Sequence, residues 1–85
     1  MPRDVPQEVM RVIAEQLDVD LASLSREQTF MGELGADSRS IFELVLAFEE
    51  AFDMHIPDRD VESMQSVGQA IDYVQTALGG KPSQT

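Results

Sequence analysis

Side chains that could act as a nucleophile or a base are scarce in this sequence, which contains one histidine, one tyrosine and no cysteine. The best-placed hydroxyl belongs to Ser38, which precedes an amphipathic segment. If that segment is a helix, His55 lies at its opposite end, about 20 to 25 Å from Ser38 at a rise of about 1.5 Å per residue. Activation of Ser38 by this histidine is excluded within one copy of the chain, because the two groups would have to be within hydrogen-bond distance. We therefore expect no catalytic residue and no enzyme activity, and we expect His55 to be a partly exposed residue after the helix C-terminus.

Ser38 could instead be a point of attachment. A hydroxyl on a tight turn at a helix N-terminus is close to unpaired backbone N–H groups and to the positive end of the helix dipole, which together favour an anion such as a phosphodiester. Gly35 would permit the tight turn. The alternative is that Asp37 or Ser38 only caps the helix by accepting hydrogen bonds from its first turn. These residues alone leave both possibilities open.

The carboxylates of Asp58, Asp60 and Glu62 alternate with the spacing of ligands for an oxygen-coordinated cation. The pattern does not continue with the central glycine and terminal glutamate of a calcium-binding loop. We therefore expect loose association of divalent cations with an acidic surface, and no dedicated metal site.

The charge balance limits the partners of the chain. Sixteen acidic and six basic residues give a formal net charge of −10 over 85 residues. Nucleic acid is not an expected partner, because binding to phosphates needs clustered lysine and arginine. A protein with a basic surface is the better candidate, and the alternative is that the acidity only aids solubility.

The length and the ends of the sequence predict one domain over residues 1–80 and a flexible tail over residues 81–85. No apolar run approaches the roughly 20 residues that span a bilayer, and the N-terminus lacks the apolar part of a signal peptide. We therefore expect a cytoplasmic protein without membrane insertion, and a monomer. Met1 and the short polar ends favour a free-standing chain.

Apolar residues at helical spacing predict three main helices. The first runs from Val5 to Leu17 and the second from about Ser38 to Phe52. The third follows Ser66, which starts a capping box, and ends at Gly79-Gly80. Because residue 56 precedes a proline, the second helix must stop before it, and residues 58–64 can form one short helix. The fold class is therefore all-α.

Residues 18–37 lack sustained periodicity and predict a long loop. Single apolar residues would anchor this loop to the core, namely Leu21, Leu24, Phe30, Met31 and Leu34. Ser40 and Glu43 form a second possible capping box in the following helix. Phe42 and Leu46, four residues apart, either widen the core stripe of that helix or form an exposed apolar strip beside its acidic face.

The sequence Leu34-Gly35-Ala36-Asp37-Ser38 resembles the attachment motif of acyl carrier proteins. Residues 43–52, 56–58 and 66–74 continue the resemblance in the order and spacing of that family, so that it spans roughly residues 5 to 78. The resemblance implies a right-handed four-helix bundle of three main helices, one short helix and a long first loop. It also implies that Ser38 receives 4′-phosphopantetheine from coenzyme A through a separate, magnesium-dependent phosphopantetheinyl transferase, with Asp37 as part of the motif. The thiol of that arm would hold acyl groups for fatty-acid, polyketide or related biosynthesis.

The resemblance further implies a surface that docks on partners. Acyl-transferring and chain-elongating enzymes with basic patches would contact carboxylates of this chain, and Leu46 matches an apolar docking position with core packing as the competing role. The acidic positions are Asp37, Glu43, Glu49, Glu50 and Asp58. An interior that can sequester an acyl chain would be lined by Phe30, Ile56, Val61, Ile71 and Val74.

Two departures from the family pattern follow the serine. The family commonly has leucine and then aspartate, and this chain has Arg39 and Ser40. Arg39 places a cation in the first turn of the helix, which is unfavourable by about 0.3 to 1 kcal/mol. We expect Arg39 to pair with the prosthetic phosphate or with an acidic patch on a particular partner, and the alternative is surface drift. Phe42 is also bulkier than the valine often found there. These departures favour a specialised carrier.

Three rival interpretations have their own signals. Peptidyl or aminoacyl carriers more often have a second glycine at the position of Ala36. A helical interaction module without a prosthetic group would use Phe42 and Leu46 to hold a partner helix. A small enzyme is disfavoured by the scarcity of catalytic side chains.

Overall fold

The computed structural model describes residues 4–78. Four α-helices and one turn of 3₁₀ helix, joined by loops, make up this part of the chain. The helices are α1 (Val5–Leu17), α2 (Ser38–Phe52), α3 (Asp58–Val61) and α4 (Val67–Ala77), and the 3₁₀ turn is Leu21–Ser23. The all-α prediction is confirmed, and α1 and α2 have the predicted bounds. The predicted end at Gly79-Gly80 and the tail over residues 81–85 lie outside the described residues.

The short helix α3 ends three residues earlier than predicted. After Val61 the chain continues in tighter turns, in which the Ser63 N–H donates to the Asp60 carbonyl and the Met64 N–H to the Val61 carbonyl, both at 2.9 Å. These turns bring Met64 into the core, where it is only 3% exposed. Burial of this side chain therefore takes precedence over extension of the helix.

Side-chain caps start the three main helices. Asp4, Asp37 and Ser66 accept hydrogen bonds from the N–H groups three residues later, at 3.2, 2.8 and 3.2 Å. The predicted capping box of Ser40 and Glu43 is wrong, because α2 already begins at Ser38 and Ser40 lies inside it.

The C-termini of α1 and α2 have the same geometry. Asp18 follows α1 and Asp53 follows α2. Both residues are in the left-handed conformation, with φ of 57° and 52°, respectively. Aspartate tolerates this region better than most residues with a β-carbon, so two helices end without the glycine that usually marks such a position.

The core is formed where α1 packs against both α2 and α4. It is mainly aliphatic, and its largest fully buried side chains are Phe30, Phe48, Ile13, Leu44, Ile71, Val9, Val67 and Val74. In the loop over residues 18–37, Leu24 and Phe30 are buried, and Leu21 and Leu34 pack partly against the core, as predicted. Met31 is 59% exposed, so its prediction as an anchor is wrong.

Backbone hydrogen bonds hold that loop against the start of α4. The Phe30 N–H donates to the Gln65 carbonyl, and the Val67 N–H donates to the Gln28 carbonyl, each at 3.0 Å. An isolated antiparallel bridge joins Thr29 and Ser66, and no β-strand occurs in residues 4–78. The loop is therefore a fixed part of the fold. No helix within the same residues is long and apolar enough to cross a membrane.

Candidate functional site

The turn before α2 presents Ser38 to solvent. Gly35 has a φ of +70°, in the left-handed region where glycine carries no β-carbon penalty. Ala36 is 7% exposed, and its N–H donates to the Phe30 carbonyl at 2.8 Å. The buried alanine fixes the turn to the core, so that the next two residues, Asp37 and Ser38, are directed outward and are exposed.

Asp37 is the N-cap of α2. Its carboxylate accepts the Ser40 N–H at 2.8 Å, and this backbone hydrogen bond is the main reason that the pKa of Asp37 is lowered from its usual value, with further lowering from the Ser40 side chain. The carboxylate is therefore ionised at neutral pH. Of the two capping residues that the sequence allowed, Asp37 is the one used, and this leaves the Ser38 hydroxyl available.

The start of α2 suits an anion bonded to Ser38. The first intrahelical hydrogen bond runs from the Ile41 N–H to the Asp37 carbonyl at 2.9 Å. The N–H groups of Ser38 and Arg39 come before it and have no helical acceptor. Such groups and the helix dipole attract a phosphate oxygen. An exposed serine at this position can therefore carry a phosphodiester without burying its charge.

A groove of ≈ 1010 Å³ runs along α2 from Ser38 towards α3. Apolar side chains line most of it, namely Phe30, Met31, Ile41, Phe42, Val45, Leu46, Val61 and Met64. Glu49, which also lines the groove, comes eleven residues after Ser38, about 16 Å along the helix axis. A flexible arm on Ser38 could therefore lie in a largely apolar channel that opens to solvent.

Comparison with known proteins agrees with this geometry. Residues 7–74 match the model of the family described as the phosphopantetheine attachment site. The chain is also similar to a solved structure of an acyl carrier protein from Enterococcus faecalis, with 32% identity over 87% of this chain and 94% of that chain and a TM-score of 0.73. The chain belongs to the acyl carrier protein family. Members of this family carry a covalently attached 4′-phosphopantetheine.

The residues predicted to dock this carrier protein on partners lie along α2 and at the start of α3. Six of the seven are exposed: Asp37, Arg39, Glu43, Leu46, Glu50 and Asp58. Phe42 and Leu46 are 59% and 44% exposed, so of the two arrangements that the sequence left open, the exposed apolar strip is the one present.

The seventh residue, Glu49, is partly buried and already engaged. Its Oε2 atom accepts the Ile56 N–H at 2.7 Å and lies 3.3 Å from His55 Nδ1. The hydrogen bond connects α2 to the segment before α3. His55 itself is 83% exposed and follows the end of α2, as predicted. A partner's cation would have to approach the other oxygen of Glu49.

Arg39 pairs within this carrier protein, with its Nε 3.5 Å from Glu43 Oε2. The two residues are one helical turn apart, and both side chains are largely exposed. Such a pair contributes about 0.3 to 0.5 kcal/mol, which partly offsets the unfavourable cation in the first turn. The Arg39 side chain therefore extends along the helix towards Glu43.

The residues predicted to line the interior are almost all in the core. Phe30, Ile56, Ile71 and Val74 are at most 2% exposed, whereas Val61 is partly buried and borders the groove. Within residues 4–78, no group of three or more histidine, cysteine, aspartate or glutamate side chains could hold a metal ion, and this includes the carboxylates around α3.

Two features of the site were not predicted from the sequence. Met31, expected in the core, lines the groove instead. The Tyr73 hydroxyl of α4 donates to Asp60 Oδ2 of α3 at 2.7 Å, which ties one wall of the groove to the bundle. No sequence signal connects these two residues, because they lie on different helices and thirteen positions apart.

Proposed function

We propose that Ser38 Oγ is the attachment atom of the 4′-phosphopantetheine arm and that the chain carries acyl intermediates on it. The observation that carries this proposal is the exposed Ser38 hydroxyl at the first position of α2, beside a capping carboxylate and after a left-handed glycine. The region matched by the attachment-site family also contains this residue.

Loading of Ser38 would be a transfer of phosphopantetheine from coenzyme A. The Ser38 oxygen forms a bond to the β-phosphorus of the coenzyme, the bond from that phosphorus to the bridging oxygen breaks, and adenosine 3′,5′-bisphosphate leaves. The hydroxyl proton must pass to a base on the phosphopantetheinyl transferase, because the carrier's own His55 is at the far end of α2. The carrier contributes an accessible nucleophile and N–H groups that favour the phosphate.

Carrier domains of this family are generally not catalytic. We propose that this chain follows the same rule and that acyl transfer and chain elongation are performed by partner enzymes. Those enzymes would approach with basic patches the surface formed by Asp37, Arg39, Glu43, Leu46, Glu49, Glu50 and Asp58. Charges at the rim of such an interface mostly raise the association rate and set the orientation, so the complexes can stay transient.

We further propose a specialised carrier for polyketide, modified-lipid or related synthesis, because Arg39 and Phe42 alter the surface next to Ser38. A cytoplasmic location and a monomeric state belong to the same proposal. Identification of the thioester on protein from its native cell tests the pathway. An aminoacyl or peptidyl group there would move the chain to the peptidyl carriers.

Mass spectrometry tests the attachment itself. The purified chain is incubated with coenzyme A, magnesium and a permissive phosphopantetheinyl transferase, and we expect one phosphopantetheine increment on the peptide that contains Ser38. The Ser38→Ala variant should gain none. Ser40→Ala, which removes the nearest other hydroxyl along the chain, is the matched control and should be modified like the unaltered chain. A folded chain that stays unmodified, or an increment on Ser38→Ala, contradicts the proposal.

A further inference from the structure

Arg39 places a positive charge directly after the attachment residue. It follows Ser38 in the sequence, and no other lysine or arginine occurs between Arg26 and Arg59. Its side chain is 88% exposed and lies in the first turn of α2. The helix dipole opposes a cation at this end of a helix, so the position is unfavourable unless an anion is bound beside it.

The contact that Arg39 makes within the chain is weak. Its Nε lies 3.5 Å from Glu43 Oε2, and its guanidinium donates no hydrogen bond to any group within residues 4–78. The arginine also precedes the glutamate, which is the less favourable order for a pair four residues apart. Water and salt compete with an exposed pair of this kind, so the guanidinium can exchange Glu43 for a better anion.

A phosphodiester on Ser38 would lie beside another negative charge. The carboxylate of Asp37 accepts the Ser40 N–H at 2.8 Å, and this hydrogen bond is the main reason that the pKa of Asp37 is lowered. The charge of Arg39 lowers it further, to a smaller extent, so the cation acts on the same end of α2. Attachment of the arm adds a second anion next to Asp37, and like charges this close repel each other.

The Arg39 side chain can reach a phosphate on Ser38. The α-carbons of consecutive residues are about 3.8 Å apart. Each Cα–Cβ bond of an α-helix is tilted towards the helix N-terminus, so a long side chain can extend over the turn that precedes it. The planar guanidinium can donate two parallel hydrogen bonds to two phosphate oxygens. A phosphate therefore offers Arg39 more than the ion contact with Glu43.

We propose that Arg39 binds the phosphodiester on Ser38 in preference to Glu43 and so restrains the first bonds of the arm. This inference rests on the proposed function and adds a binding residue to it. Loading of Ser38 moves the guanidinium from Glu43 to the phosphate. The cation then offsets the repulsion between the phosphate and the carboxylate of Asp37.

Nuclear magnetic resonance of the purified holo carrier tests the contact directly. We expect the phosphorus signal of the arm to shift on Arg39→Leu. It should keep its position on Arg59→Leu, the matched control, which removes an arginine of similar exposure from α3. Arg39→Lys keeps the charge without the planar fork and should give an intermediate shift. In the unaltered chain, a nuclear Overhauser effect between Arg39 Hε and the Glu43 side chain should be present in the apo carrier and lost in the holo carrier.

Stability provides a second measurement. Urea denaturation gives the folding equilibrium constant of the apo and holo forms, for the unaltered chain and for Arg39→Leu. Attachment of the arm should favour the folded state about two- to fivefold more in the unaltered chain than in Arg39→Leu, as expected for one exposed ion pair. This difference should shrink at high salt. Arg59→Leu should respond to attachment like the unaltered chain.

The loaded form of each variant is separated from the unloaded form by ion-exchange chromatography before measurement, so that a slow loading reaction does not affect the result. A phosphorus signal that responds alike to Arg39→Leu and Arg59→Leu overturns the inference while the proposed function stands. An Overhauser effect to Glu43 that persists in the holo carrier does the same.

Two further outcomes count against the proposal. An unchanged phosphorus signal in Arg39→Leu, together with slower turnover by one partner enzyme, assigns Arg39 to an acidic patch on that enzyme. Failure of the unaltered chain to be loaded at all defeats both the inference and the proposed function.

Discussion

The Tyr73 hydroxyl donates a 2.7 Å hydrogen bond to Asp60 Oδ2 and so connects α4 to α3. The helix α3 has only four residues and contributes Asp58 and Val61 to the wall of the groove beside Ser38. A helix this short has little stability of its own. The hydrogen bond to Tyr73 therefore helps to fix the groove in its shape.

The first prediction concerns the titration of Tyr73. Partial burial, followed by the hydrogen bond and the charge of Asp60, raises its pKa to about 12. Because the folded pKa lies above the unfolded value of about 10, the stabilisation is complete below pH 10 and is lost as the pH rises through about 12. The chain has one tyrosine and no tryptophan, so the ultraviolet absorbance of tyrosinate reports this residue alone.

Asp60→Asn is the informative variant for Tyr73, because it keeps an acceptor but removes the charge. In this variant we expect the titration midpoint of Tyr73 to move towards about 10. In a separate variant, Tyr73→Phe should lower the free energy of unfolding at neutral pH by about 1 to 2 kcal/mol, because the hydrogen bond is lost. A midpoint near 10 in the unaltered folded chain would show that the hydrogen bond does not form in solution.

The second prediction concerns the cap at Asp37. Since its pKa is lowered in the folded state, its contribution to stability is present above the unfolded pKa near 3.8 and is lost as the pH falls through the folded pKa. Asp37→Asn keeps a capping oxygen and should stay folded, but with a smaller loss of stability on acidification. Thermal unfolding over a series of pH values measures this difference. If stability fell with pH to the same extent in the unaltered chain and in Asp37→Asn, the charge of Asp37 would have no part in stabilising the cap.

The third prediction concerns the turn at Gly35. A β-carbon at this position would meet no atom within 4 Å, so the cost of a substitution is conformational only. With φ at +70°, Gly35→Ala should lower the free energy of unfolding by about 1 to 2 kcal/mol. Gly35→Asn is the matched control and should cost less, because asparagine tolerates the left-handed region. Chemical denaturation gives both values, and equal losses would point to a steric cause.

The fourth prediction compares two phenylalanines of α2. Phe48 is fully buried, so Phe48→Ala should lower the free energy of unfolding by about 3 to 5 kcal/mol. Phe42 is largely exposed, and Phe42→Ala should change it by no more than about 0.5 kcal/mol. Urea denaturation of both variants measures the contrast. A large loss for Phe42→Ala would mean that this side chain packs in the core and is not available to a partner.

Local sequence signals predicted most of the framework. Periodic apolar residues and capping side chains predicted α1 and α2 with their observed bounds, and Ser66 marked the start of α4. The sequence predicts that Gly35 permits a tight turn before Ser38. Its φ of +70° confirms that the turn needs a left-handed residue there. These predictions succeeded because each depends on residues within one or two helical turns of one another.

Predictions that depended on the whole fold were less complete. The burial of Met64 shortens α3. Met31 lies in the groove, because the residue type of an apolar side chain in a loop does not tell whether it packs in the core or stays exposed. The engagement of Glu49 with the Ile56 N–H could not be read from its charge, because an acidic residue on a helix resembles a solvated one until its neighbours are placed.

The sequence by itself determined the helical class, the position of Ser38 at the start of α2 and the family to which its motifs are similar, because these follow from short-range spacing and from residue type. Only the tertiary structure decided that Phe42 and Leu46 are exposed, that a groove leads away from Ser38 and that Tyr73 holds α3. Exposure, cavities and contacts between helices depend on which faces pack together, and that arrangement is set by the joint burial of residues far apart in the chain.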